Sequence, residues 1–229
     1  MSNSILILGE SGSGKSTSIR KLPYKETFIV NVIGKPLPFR GAKSHYTKLT
    51  PEGEGNYYAN DNTASILKLI NFVNNKRPEI KYLVLDDFGY MITNSFMRKS
   101  NQKGFDKFNE IGREVFDVLD LIGTLRDDLY IFVMMHTEID QLGKYKPKTV
   151  GRMIDQYICI EGKFSYVFHA LVLETGYKFL TNNDGVHVAK SPLGMFEEIH
   201  VDNDLLKIVK KIKDYEDSEE ENGDDDASI

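Results

Sequence analysis

The apolar run Ile5-Leu6-Ile7-Leu8 leads directly into Gly9-Glu10-Ser11-Gly12-Ser13-Gly14-Lys15-Ser16, a complete G-x-x-x-x-G-K-[ST] pattern. Four aliphatic residues in a row read as a strand buried on both faces. The segment Ser16 to Leu22 that follows can start a helix. Strand, glycine-rich turn and helix in that order constrain the fold, because the chain must cross over to a parallel neighbour. The glycines let successive backbone N–H groups converge on phosphate oxygens, and a following helix would aim its positive end at the same point. Lys15 supplies a mobile charge for the terminal phosphates and Ser16 a hydroxyl for Mg²⁺. Gly9, Glu10, Ser11, Gly12, Ser13, Gly14, Lys15, Ser16 and Thr17 form the expected nucleotide-binding segment.

The rest of the chain alternates apolar runs with helical patterns. Further strands are expected at Thr27 to Ile33, Tyr82 to Asp86 and Leu129 to Met135. Helices are expected at Ala64 to Asn74 and from about Phe105 to Arg126, where Phe105, Phe108, Ile111, Val115, Leu119, Ile122 and Leu125 recur as a core stripe. Residues 34–62 read as a long loop rich in Gly, Pro, Lys and Tyr, and loops of that length are often functional. Tyr166 to Glu174 and Tyr177 to Leu180 flank Thr175-Gly176 and read as a hairpin. A last amphipathic helix is expected from about Asp204 to Tyr215. The sum is an α/β fold, a mainly parallel sheet flanked by helices with an antiparallel C-terminal extension.

A phosphate loop needs a metal-holding acid at the end of another strand. Tyr82-Leu83-Val84-Leu85 ends in Asp86-Asp87, so Asp86 is placed to hold the Mg²⁺ shell. Asp87 is a candidate to orient or deprotonate an attacking water, and Glu138 is a second. His136, at the end of the fourth strand, suits a sensor of the terminal phosphate, as does Thr137. In Gly143-Lys144-Tyr145-Lys146-Pro147-Lys148-Thr149-Val150-Gly151-Arg152, alternating lysines can track a phosphate backbone and Tyr145 can stack on a base. Lys43, His45, Tyr46, Lys48, Tyr57 and Tyr58 carry a weaker version of the same signal. Asn75-Lys76-Arg77-Pro78 lacks the acid of a guanine-reading motif, and the arginines do not form a kinase-type lid.

Charge is distributed unevenly. The net charge of −5 hides an acidic C-terminus: residues 214–229 hold nine acidic residues and no Lys or Arg, leaving 29 basic against 25 acidic residues, a net +4, in residues 1–213. Residues 1–213 read as one ATPase domain, and residues 214–229 as a disordered acidic tail with a solubilising or DNA-mimicking role. No apolar run approaches the ~20 residues that span a bilayer. The single cysteine, Cys159, lies in an apolar run and reads as a buried, inert thiol. A reduced cytoplasmic location is expected.

Taken together, Gly9 to Thr17, Asp86-Asp87, His136 and Val188-Ala189-Lys190 resemble RecA-like P-loop ATPases. The segments Thr27 to Phe39 and Lys190 to Phe196 are similar to small ATP-binding proteins of tailed bacteriophages, a group related to phage single-strand annealing ATPases. The resemblance covers about residues 3–213. It implies ATP and Mg²⁺ as ligands, single-stranded DNA as partner, assembly into rings or filaments, and contact with other phage or host recombination proteins. It also implies that Lys190 starts a basic pair reaching a neighbour's terminal phosphate; Pro192 stands at the second position. After the second strand, where the family carries a catalytic Glu, this chain has Gly34-Lys35-Pro36. Lys144, Tyr145, Lys146, Lys148 and Arg152 fall where the family places a DNA-binding loop. Two other readings stay open: a nucleotide-gated scaffold for a partner protein with little turnover, and a nucleotide kinase.

Overall fold

Consecutive aliphatic side chains are buried together only when both faces of a strand are covered, and strand β1 (Asn3–Gly9) meets that condition. In the computed structural model, which describes residues 3–150 and 152–223, Leu6 and Leu8 enter one hydrophobic cluster and Ile5 and Ile7 another. The other strands are β2 (Thr27–Asn31), β3 (Tyr57–Tyr58), β4 (Tyr82–Asp86), β5 (Tyr130–Ile139), β6 (Tyr145–Pro147), β7 (Tyr166–Leu173), β8 (Gly176–Leu180) and β9 (His200–Asp202). The helices are α1 (Ala42–His45), α2 (Thr63–Lys76), α3 (Gly89–Arg98), α4 (Asp106–Ile122), α5 (Arg152–Tyr157) and α6 (Leu205–Gly223).

The sheet order is β3-β2-β4-β5-β1-β7-β8-β9, with β6 paired to the far end of β5. Pairing is parallel from β3 to β7 and antiparallel from β7 to β9 and between β5 and β6. The chain is thus an α/β protein with a mostly parallel mixed sheet. Residues from α2, α3 and α4 pack on one face, and residues from α1 and α6 on the other. Because β5 separates β1 from β4, His136 stands opposite Gly9 in register. Gly9 at the end of β1, His136 within β5 and Asp86 at the end of β4 therefore lie side by side.

Several elements differ from expectation for local reasons. The helix after the glycine-rich loop is only a six-residue 3₁₀ turn, Ser16–Lys21, halted where Leu22 goes extended before Pro23. β2 stops at Asn31, two residues early, because the buried Asn31 side chain bends the chain: it accepts from the Gly34 N–H at 2.8 Å and donates to the Lys35 carbonyl at 2.9 Å. β5 runs on to Ile139, since β6 returns alongside it, so the polar segment after Met135 is a hairpin and not a free loop. Helix α3 follows the double aspartate, buries Met91, Ile92 and Ser95, and had no place in the expected order. Phe105, assigned to the core stripe, caps α4 and is 70% exposed. Cys159 is exposed, not buried; partial burial and Glu161 raise its thiol pKa, so it is no activated thiolate.

The acidic C-terminus also differs. The sequence predicts a disordered tail over residues 214–229, yet α6 continues to Gly223. Glutamate is a good helix former, and the first part of the run has anchors. The Tyr166 hydroxyl donates to Glu216 Oε1 at 3.3 Å and the Ser218 hydroxyl to the Tyr215 carbonyl at 2.7 Å. Tyr166 opens β7, so Glu216 stands at the end of the sheet opposite the glycine-rich loop. The final stretch of the expected tail, 224–229, lies outside the described residues. Among the described residues, no helix is long and apolar enough to cross a membrane.

Candidate nucleotide-phosphate site

The loop from Gly9 to Gly14 takes positive φ at Gly9 (152°), Gly12 (81°) and Gly14 (94°). A Cβ on Gly14 would lie 2.8 Å from the Tyr177 ring, so β8 packs closely against the loop. Lys15 is buried and folds back under the loop, where its Nζ donates to the Gly9 and Glu10 carbonyls, both at 2.8 Å. Burial pushes the Lys15 pKa down to about 8, against the opposing pull of Asp87 and Asp86. The 3₁₀ turn is tied down by Arg20, which donates to the Asn203 carbonyl at 2.9 Å, and by Lys21, 2.9 Å from Asp204.

Ser16 Oγ donates to Asp86 Oδ1 at 2.9 Å. Asp86 is fully buried, and burial followed by the charge of Asp87 lifts its pKa to about 6. Its second oxygen, Oδ2, has no hydrogen-bond partner. A buried carboxylate oxygen left over beside a serine hydroxyl fits Mg²⁺, which proteins hold through one or two carboxylates completed by substrate phosphates. Among the described residues, no group of three His, Cys, Asp or Glu side chains forms a self-contained metal site. Phosphate oxygens would be needed to complete this one.

Asp87 adopts φ 59°, alone among the described non-glycine residues in that region. Such strain persists only where the surroundings over-determine it. Here Lys35 Nζ lies 2.6 Å from Oδ2 and His136 Nε2 lies 3.3 Å from Oδ1. Burial alone would raise the Asp87 pKa; bonding to His136 and Lys35 outweighs it and holds the carboxyl below its usual range. His136 Nδ1 is 3.4 Å from Lys15 Nζ. A charged lysine offers only donors, so a hydrogen bond here uses Nδ1 as the acceptor, with Nε2 facing Asp87. Tyr90 meets the same ring edge-on at 5.9 Å. Glu10, Ser11, Lys35, Tyr90, His136 and Lys148 line a cavity of about 420 Å³ next to this cluster.

Lys15, Ser16, Asp86, Asp87 and His136 therefore come together as the sequence suggested. Glu138 does not join them: it pairs with Lys146 at 3.0 Å on the hairpin. Lys190 is exposed and bridges Val167, which stands opposite Leu6, three positions or about 10 Å before Gly9. It lies away from the Lys15 cluster of its own chain. Of the residues read as tracking DNA, Tyr145 stacks on His187 at 4.6 Å and meets His169 edge-on. Lys146 is held by Asp155 as well as Glu138, Lys144 is exposed, and Lys148 faces the cavity beside His136. Arg152 opens α5; its side chain lies outside the described residues.

Lys35 is the residue that sequence reading missed. A lysine after a strand looks like a solvated surface residue, and only the Asn31 clamp brings it to Asp87.

No protein-family model matches the chain, and no curated protein matches it.

Proposed function

We propose that this chain is a Mg-ATP-binding P-loop ATPase of the RecA-like class, phage-encoded and working in the host cytoplasm, that binds single-stranded DNA in recombination or replication and acts as a ring or filament. The observation that carries the nucleotide part is the convergence of Lys15 and the Ser16–Asp86 pair under a loop of positive-φ glycines. The loop N–H groups and Lys15 would bind the phosphates, with Lys15 turning from the Gly9 and Glu10 carbonyls toward them. Ser16 and Asp86 would hold Mg²⁺, which when bound neutralises charge on the terminal phosphates. Asp87, oriented by Lys35 and His136, would position the attacking water.

The same Asp87 contacts favour slow turnover. A carboxylate with a depressed pKa and two cationic or donor partners is a weak base. That observation supports a second reading, a nucleotide-gated scaffold. One titration separates them: a fluorescent ATP analogue with Mg²⁺, followed by phosphate release. Wild type should bind and Lys15→Ala should not. Binding without measurable release supports the scaffold, and undiminished binding by Lys15→Ala would sink the site.

A further inference from the structure

The long segment after β2 is not a featureless loop. Asn31 fixes its start, α1 and the Lys48–Tyr57 bridge fold it back on the sheet, and Asn56 ties it together by donating to the Tyr24 and His45 carbonyls. The fold leaves a cavity of about 480 Å³, lined in part by Lys35, Lys43, Lys48, Leu37, Tyr46 and Tyr57. Residues 34–51 contain Lys35, Arg40, Lys43 and Lys48 and no Asp or Glu. Lys43 and Lys48 are exposed and, among the described residues, pair with no acid. The hairpin lysine Lys146 and Tyr145, by contrast, are spent on Glu138, Asp155 and His187. Lys35 lines this cavity and the one beside His136, so the two share a wall.

We propose that this basic, tyrosine-bearing cavity is where the chain grips single-stranded nucleic acid. Lysines spaced around an open cleft suit a phosphate backbone, and the partly exposed Tyr57 offers a face to a base. Leu37 and the buried Tyr46 give the cleft an apolar floor. The proposal rests on the DNA-binding part of the reading above and relocates it from the hairpin to the β2–α2 connection. It also places the strand next to Lys35, which contacts Asp87.

The test is fluorescence anisotropy of a labelled oligothymidylate with full-length protein, Mg²⁺ and a non-hydrolysable ATP analogue, at three salt concentrations. The Lys43→Ala/Lys48→Ala double variant should bind at least tenfold more weakly. Its slope of log K against log salt should be shallower by about 1.4, from ~0.7 per lost phosphate contact on a single strand. Its affinity for the ATP analogue should be unchanged, which also shows that it is folded. Lys43→Arg/Lys48→Arg should restore binding. An abasic oligomer of equal length should bind at least tenfold more weakly than oligothymidylate; equal binding would mean a bare polyanion site and overturn the proposal. Wild-type affinity in the double-alanine variant would overturn it too, leaving DNA binding in place elsewhere. No binding by wild type at any salt would sink the DNA reading itself.

Discussion

Ser16 Oγ donates to Asp86 Oδ1 across 2.9 Å, although 70 residues separate them in the chain. The contact joins the end of the glycine-rich loop to the end of β4, with β5 lying between their strands. It uses one carboxylate oxygen and leaves the other buried without a partner. Asp86 is therefore a residue whose burial costs stability in the free protein.

Replacing Asp86 with Asn tests that trade. Its folded pKa, about 6, lies above the ordinary 3.8, so its contribution to stability is full below about pH 4 and is lost as pH rises through 6. Without metal at pH 7.5, Asp86→Asn should therefore be more stable than wild type, by about 1–3 kcal/mol in urea denaturation. The same variant should lose about 10–100-fold in Mg²⁺-dependent nucleotide affinity. A destabilised variant with intact Mg²⁺ dependence would contradict both halves.

Asp87 should behave differently from its neighbour. Asn tolerates left-handed φ better than most residues, so Asp87→Asn should keep the backbone at φ 59°. With Lys35 and His136 no longer facing a charge, phosphate release should fall about 100-fold while nucleotide affinity changes only a few-fold. Parallel losses in binding and turnover would assign Asp87 to phosphate-site structure instead of water positioning.

Much of this cluster is legible in the sequence because it sits where apolar runs end. Those runs locate β1, β4 and the first part of β5, and Gly9, Asp86 and His136 stand at their ends. Side-chain events are not legible in that way. The early end of β2 depends on Asn31 bonding to Gly34 and Lys35, and that bond delivers Lys35 to Asp87. The hairpin at Tyr145–Pro147 has no alternating apolar pattern, since its register rests on the pairing of Lys146 with Glu138 and on Tyr145 packing against His187. Helix α6 outran its apolar stripe because glutamate is a good helix former.

His169 should make stability fall in mild acid. It is buried on β7 opposite Leu8, and burial, aided by His187, pushes its pKa down to about 4. The unfolded chain takes up a proton near pH 6.5 while the folded one does not until about 4. The stabilisation is thus complete above 6.5 and is lost as pH drops through that window. His169→Phe keeps a ring against Tyr145 and cannot titrate. Between pH 7.5 and pH 5, wild type should lose about 2 kcal/mol more than this variant in chemical denaturation. Equal losses would show that His169 protonates in place.

Two glycines of one loop should separate stability from binding. A Cβ at Gly9 would come within 2.8 Å of the Ala170 carbonyl and 2.5 Å of Ser13 Oγ, so β7 would have to move. Gly9→Ala should cost about 2–3 kcal/mol of stability, the range of a backbone clash added to local strain. At Gly12 an added Cβ meets nothing within 4 Å, and only its φ of 81° opposes a side chain. Gly12→Ala should therefore cost about 1–2 kcal/mol, the penalty of left-handed backbone for an L-residue. Its effect on nucleotide binding should nevertheless be the plainer one, because the open space above Gly12 is where phosphate oxygens would approach the loop N–H groups. Urea denaturation and titration with the fluorescent ATP analogue on both variants check the pair. If Gly12→Ala binds the analogue as tightly as wild type, the phosphates do not lie over this turn.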